Sequence, residues 1–240
     1  MKKFLLSLLL AIPLSVQFQS CSHLSKLGLV PSEFEMIAGL KDALNQGMFA
    51  SFDAFANPRA NPLLQFAFPG EAAQIEKNLR DLGLGQVIDQ ATGKLTRAMV
   101  SAVNAAKPMF VNSIKQLTVK DAVNILVTDN PHAATDYFKR TNQSLLMAAF
   151  RPIVDSTVKT EGADRDYQRL ATAYNAIPFT RQKLETNITD FIAARAIDGM
   201  MLVIANEEEN IRNKYEFRKT DMMKKAFGYA EEELKRRQAK

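Results

Sequence analysis

From Ile188 to about Lys214 the chain places apolar residues at intervals of three and four: Phe191, Ile192, Ala196, Ile197, Met200, Met201 and Ile204. Only a helical backbone, at 3.6 residues per turn, gathers such positions onto one side. The stripe is broad, so this helix has to be covered by several neighbours. Elsewhere no stretch alternates apolar and polar residues for long enough to demand a strand. The fold class that follows is all-α, a single multi-helix, bundle-like domain.

Local signals divide the rest of the chain into further helices. Ser32 with Glu35 makes a capping box before Phe34, Ile37, Ala38, Leu40, Lys41 and Leu44, predicting an amphipathic helix to about Gly47 or a little past it. Residues 57–70 hold three prolines and a glycine and read as a loop whose Leu63, Leu64, Phe66 and Phe68 pack over the core or edge a pocket. Glu71 to Leu82 reads as a helix with Ile75, Leu79 and Leu82 inward, stopped by Gly83 and Gly85. Val87 to Leu117 gives one or two helices, with Pro108 as a kink or break.

Thr118 and Asp121 resemble a cap for Ala122 to Leu126, and Asn130-Pro131 predicts a helix capped at Asn130 that carries Ala133, Ala134, Tyr137 and Phe138. Leu145 to Val158, with Pro152 inside, and Tyr167 to Tyr174, ended by Ile177-Pro178, are further helices. A last segment opens at Thr220 with Met222, Met223 and Phe227. Residues 229–240 then form a charged, solvated helical tail, Glu231-Glu232-Glu233 preceding Lys235, Arg236, Arg237 and Lys240.

The N-terminus predicts a location. Lys2 and Lys3 precede an apolar run from Phe4 to Leu14, about eleven residues, against the roughly twenty needed to span a bilayer. Residues 1–20 therefore read as a signal peptide. Ser20-Cys21 resembles the cleavage site of a bacterial lipoprotein, although Phe18 and Gln19 depart from the usual residues. Ordinary secretion with a cut near Ser20 is the alternative. Cys21 is the chain's one cysteine and can form no internal disulfide, whereas thioether lipidation would consume it. The expectation is a membrane anchor at Cys21, a tether over 21–31, a helical domain over 32–228 and the tail over 229–240. The location expected is the bacterial cell envelope, facing the periplasm. Ser22 resembles an outer-membrane sorting residue.

Removing residues 1–20 leaves about 220 residues, enough for a substantial core without disulfides. The formal charge of +5 falls to +3 without Lys2 and Lys3, too diffuse an excess to point to nucleic acid.

No catalytic set is legible. His23 adjoins the proposed anchor, His132 lies at a helix start, and no Gly-x-Ser-x-Gly elbow is present. The histidine and cysteine shortage predicts no zinc site, and Asp129-Asn130 lacks the spaced carboxylates of an EF-hand. Gly83-x-Gly85 has no following lysine for a phosphate, so no cofactor is expected. The remaining candidate is a polar cluster of Tyr137, Arg151, Glu207, Glu208 and Arg212. Glu208 and Arg212 stand at i,i+4 spacing, which reads as a solvated ion-paired face or as the lining of a cavity for a small polar ligand.

Seven blocks in order carry a family resemblance: Ala38 to Leu44, Leu79 to Gly85, Asp121 to Leu126, Ala133 to Phe138, Phe150 to Val154, Tyr174 to Pro178, and Asp198-Gly199 followed by Glu207-Glu208 and Ile211-Arg212. Together they resemble the DUF4197 family over roughly Ser32 to Gly228. Val127-Thr128-Asp129 departs from the glycine-containing turn that family often has there. The resemblance implies an exported, mostly helical and often lipid-anchored bacterial protein, and it assigns no activity. The functional expectation is a lipid-anchored, non-enzymatic module that binds an envelope protein or other envelope component. The alternative is a small-polar-ligand carrier or hydrolase built on a carboxylate and arginine cleft.

Overall fold

The computed structural model describes residues 30–60, 64–66, 72–120, 122–176, 183–184 and 187–239. Cys21, the proposed signal peptide and most of the tether lie outside them. So do Leu63, Phe68, Asp121 and Ile177-Pro178. The described residues form eight α-helices: α1 (Glu33–Ala56), α2 (Ala72–Leu79), α3 (Gly85–Gln116), α4 (Ala122–Leu126), α5 (Ala133–Thr160), α6 (Ala163–Asn175), α7 (Thr189–Asn213) and α8 (Asp221–Gln238). No strand occurs among them. The all-α expectation holds. None of these helices is long and apolar enough to cross a membrane.

α1 opens with the predicted capping box: the Ser32 hydroxyl accepts from the Glu35 N–H, and the Glu35 carboxylate accepts from the Ser32 N–H. The helix then runs past Gly47 to Ala56. Gly47 serves contact with another helix instead of termination, since a Cβ there would stand 3.0 Å from the Ile204 Cα on α7. Gly39 does the same toward α8, where a Cβ would lie 2.5 Å from the Ala226 Cβ and 2.6 Å from the Met222 carbonyl oxygen. Glycine is what lets these helix axes approach.

α1 runs antiparallel to α8, as Lys225 pairs with Glu35 at 2.5 Å while Thr220 donates to Asp42. α5 and α7 are also antiparallel, linked in turn by Thr135 with Glu208, Lys139 with Asp198 and Arg151 with Asp190. α3 lies along α5, where Phe110 and Phe150 meet edge to face at 5.8 Å. Fully buried Phe55, Phe110, Phe138, Phe150 and Phe227 fill the space between these helices. Burying such a side chain contributes on the order of 1.5–3 kcal/mol.

Several boundaries differ from expectation for identifiable reasons. Gly83, at φ +84°, interrupts the helix as predicted, inside a wide turn over Arg80–Leu84, but Gly85 opens α3 instead of ending α2. Pro108 and Pro152 break neither α3 nor α5; the first is internal to one 32-residue helix. α5 absorbs both segments expected from Asn130 to Phe138 and from Leu145 to Val158. In the loop expected over 57–70, Pro58–Ala60 forms a turn of 3-10 helix, and Leu64 and Phe66 are buried. The charged tail continues α8 as helix to Gln238 and is less solvated than expected: Ala230 is buried and Leu234 packs against the core.

Candidate functional site

The loop before α5 turns on Asn130. Its Oδ1 accepts from the His132 N–H at 2.9 Å, and its amide donates to Asp136 at 2.9 Å. With Asn130 thus engaged, α5 starts two residues later than predicted and has His132 at its cap position, with no side-chain cap hydrogen bond from that residue. The first-turn N–H groups of a helix have no intrahelical partner and need an acceptor. Glu208, on α7, supplies it.

Glu208 is 2% exposed. Its Oε1 accepts from the Ala134 N–H at 2.9 Å, and its Oε2 from the Thr135 N–H at 2.8 Å and the Thr135 hydroxyl at 2.7 Å. Arg212, one turn further along α7, donates to the same Oε1 through Nε at 2.9 Å and Nη2 at 2.8 Å. A carboxylate offers about four lone-pair directions, so five donors saturate it. The negative charge also faces the positive end of a 28-residue helix.

Arg212 extends the tie to α4, donating from Nη1 to the Leu126 carbonyl at 3.0 Å and from Nη2 to the Ile125 carbonyl at 2.9 Å. Its guanidinium lies 5.4 Å from the ring centroid of Phe227 on α8. Arg218, also buried, repeats the arrangement at the end of α7. It donates to the carbonyls of Ile211 at 3.0 Å and Arg212 at 2.9 Å, and pairs with Glu231 of α8 at 2.9 Å. Lys235 and Arg218 beside Glu231 hold its carboxyl below the usual range. Two arginines and two glutamates thus join the ends of α4, α5 and α7 to the flank of α8.

Of the five residues expected to share a cavity, the structure brings together Glu208 and Arg212. Glu207 points toward α1 and accepts from Gln46 at 2.7 Å, while the same amide donates to the Phe217 carbonyl. The half-buried Tyr137 donates its hydroxyl to the Thr118 carbonyl at 2.6 Å. Arg151 is exposed and pairs with Asp190. It lies 16 residues beyond Thr135 on α5, about 24 Å along the axis. The common cavity is therefore not formed, because helical rise separates Arg151 from the first turn that Glu208 caps.

Sequence reasoning missed Thr135 and Glu231. Neither carries a local signal of this role, since the buried partners, Glu208 for Thr135 and Arg218 for Glu231, are remote in the chain. His132 is half-buried, with Nε2 at 3.6 Å from Glu209. Among the described residues no group of three His, Cys, Asp or Glu side chains is placed to hold a metal ion. A half-open cleft of about 260 Å³ lies beside the network, with Leu126, Thr128, Arg212, Phe227, Leu234 and Lys235 in its wall.

The family model described as protein of unknown function DUF4197 matches residues 30–228. No curated protein and no solved structure matches the chain.

Proposed function

We propose, for a chain that belongs to the DUF4197 family, that it is a lipid-anchored, non-enzymatic helical module of the bacterial envelope, held at Cys21 and binding an envelope component through its surface. The observation that carries the non-enzymatic reading is the saturation of Glu208. A carboxylate that accepts five hydrogen bonds has no lone pair left to take a proton or meet a substrate. The anchor rests on the sequence alone: the basic residues, the short apolar run and the lone cysteine after Ser20.

The test is the mass and partition of the chain made in bacteria. Processing at Cys21 should leave a diacyl- or triacylated N-terminus that stays with membranes, and Cys21→Ser should release the chain or leave it unprocessed. A soluble, unacylated natural chain would refute the anchor. Photo-crosslinkers on several faces, used in intact cells, then search for the partner, and repeated failure to capture any envelope component would count against the binding role.

The cleft beside Arg212 favours a second reading, a carrier for a small polar ligand. Its lining sets Thr128, Asp129, Glu231 and Lys235 beside the apolar Leu126 and Phe227, a mixture of both charges suited to a small zwitterion. Lys235→Ala would then weaken binding of a small zwitterion measured by calorimetry, without a change in melting temperature.

A further inference from the structure

We infer that the end of the domain formed by the start of α1, the α3–α4 connection and the first turns of α5 rests on the membrane, with Phe34 in the headgroup layer and a ring of cations against anionic lipid. Phe34 is 76% exposed although it lies in the first turn of a helix held by a capping box. Lys41 follows it by seven residues and so lies on the same face of α1. Its ammonium donates to the Lys115 carbonyl at 2.8 Å, which brings the end of α3 alongside. Tyr137 fixes the next connection by donating to Thr118, two residues before Lys120, and Arg140 stacks over the Tyr137 ring at 5.6 Å.

Lys41, Lys115, Lys120 and Arg140 are thereby gathered, and among the described residues none of the four makes an ion pair. Val123 on α4 adds exposed apolar surface. Glu33, Glu35 and Asp136 are the carboxylates in the same first turns; Glu35 is paired with Lys225 and Asp136 accepts from Asn130. An exposed aromatic flanked by lysines and arginine is the composition that settles at an anionic interface. Basic side chains near such a surface are attracted to it, and the attraction weakens as salt rises.

Tether length points to the same occupant. Pro31 follows Cys21 by ten positions, so even fully extended the segment reaches at most about 36 Å. An anchored chain therefore keeps the start of α1 within that distance of lipid. This inference rests on the anchor proposed above.

The experiment uses the full acylated chain in vesicles of phosphatidylethanolamine and phosphatidylglycerol. Since acylation blocks Cys21, Phe34→Cys offers a single thiol for a polarity-sensitive fluorophore, and Asp53→Cys, exposed near the far end of α1, is the control. Brominated lipids should quench the label at position 34 several-fold more than at 53. The combined change Lys41→Glu, Lys115→Glu and Lys120→Glu should reduce that difference, as should high salt. Equal quenching at both positions in a chain that floats with the vesicles overturns the membrane face and leaves the anchor standing. A chain that fails to float overturns the anchor and this inference together. Shielding at position 34 that appears only when envelope proteins are added assigns the face to a protein and overturns it as well.

Discussion

Glu208 caps α5 from 73 residues further along the chain, accepting both the N–H and the hydroxyl of Thr135. The residue that ordinarily caps a helix stands immediately before it. Here that task has moved to another helix, and Arg212 balances the resulting buried charge.

Glu208→Ala should destabilise the protein by about 3–5 kcal/mol, because it leaves Arg212 buried without its counter-ion and the first turn of α5 without an acceptor. Thr135→Val removes one hydrogen bond and should cost about 1–2 kcal/mol. Urea unfolding followed by circular dichroism measures both. Combining Glu208→Ala with Arg212→Ala should cost clearly less than the sum of the two single changes. Losses below about 1 kcal/mol at Glu208 would contradict the capping role and revive a ligand-binding one.

Gly39→Ala should cost about 1–3 kcal/mol, since the new methyl would meet the backbone carbonyl of Met222 and the Ala226 side chain. For a domain of this size that corresponds to roughly 2–4 °C of melting temperature per kcal/mol. Gly93→Ala is the control: only the Arg97 guanidinium lies near, so this helical position should gain stability by a few tenths of a kcal/mol, within the known helix preference for alanine. A neutral Gly39→Ala would mean that α1 and α8 can separate at no cost.

Removing residues 229–240 should destabilise the chain although the family match ends at Gly228. The deletion takes away Glu231, the ion-pair partner of buried Arg218, and uncovers the core at Ala230 and Leu234. Arg218→Met, which removes the orphaned charge while keeping an unbranched stem, should recover part of the loss. Differential scanning calorimetry of the three chains would show whether it does.

Acid should loosen the α1–α8 seam. Lys225 beside Glu35, helped by the two hydrogen bonds from Ser32, lowers that carboxyl from 4.5 to about 2. A carboxyl held below its unfolded value contributes stability that is full above pH 4.5 and is lost as pH falls toward 2. Glu231 is shifted in the same direction. Melting temperature should therefore decline over that window, and Glu35→Gln should flatten part of the decline.

The sequence was most informative where the partners are close in the chain. Ser32 and Glu35 announced the start of α1, the stripe from Phe191 to Ile204 announced α7, and Gly83 marked the turn after α2. Local signals failed where tertiary contacts overrode them. α1 runs further past Gly47 than expected, and the role of that glycine, close approach to the Ile204 backbone, lies on another helix and leaves no local mark. Asn130 looked like a cap, yet the carboxylate that performs the capping comes from α7. In the candidate site, i,i+4 spacing revealed Glu208 with Arg212, whereas grouping them with Arg151 required distances that spacing does not contain.

The antiparallel seam of α1 and α8 ties Glu35 to Lys225, 190 residues apart. A ribosome delivers α1 first and α8 last, so the apolar side of α1 that holds Leu40 and Leu44 waits for most of the chain to be made before its final neighbour arrives. Long-range closure of this kind slows folding and leaves sticky intermediates during synthesis. The emerging chain therefore exposes that face for longer than a bundle of sequentially neighbouring helices would, and truncated products lacking α8 should be the species that aggregate.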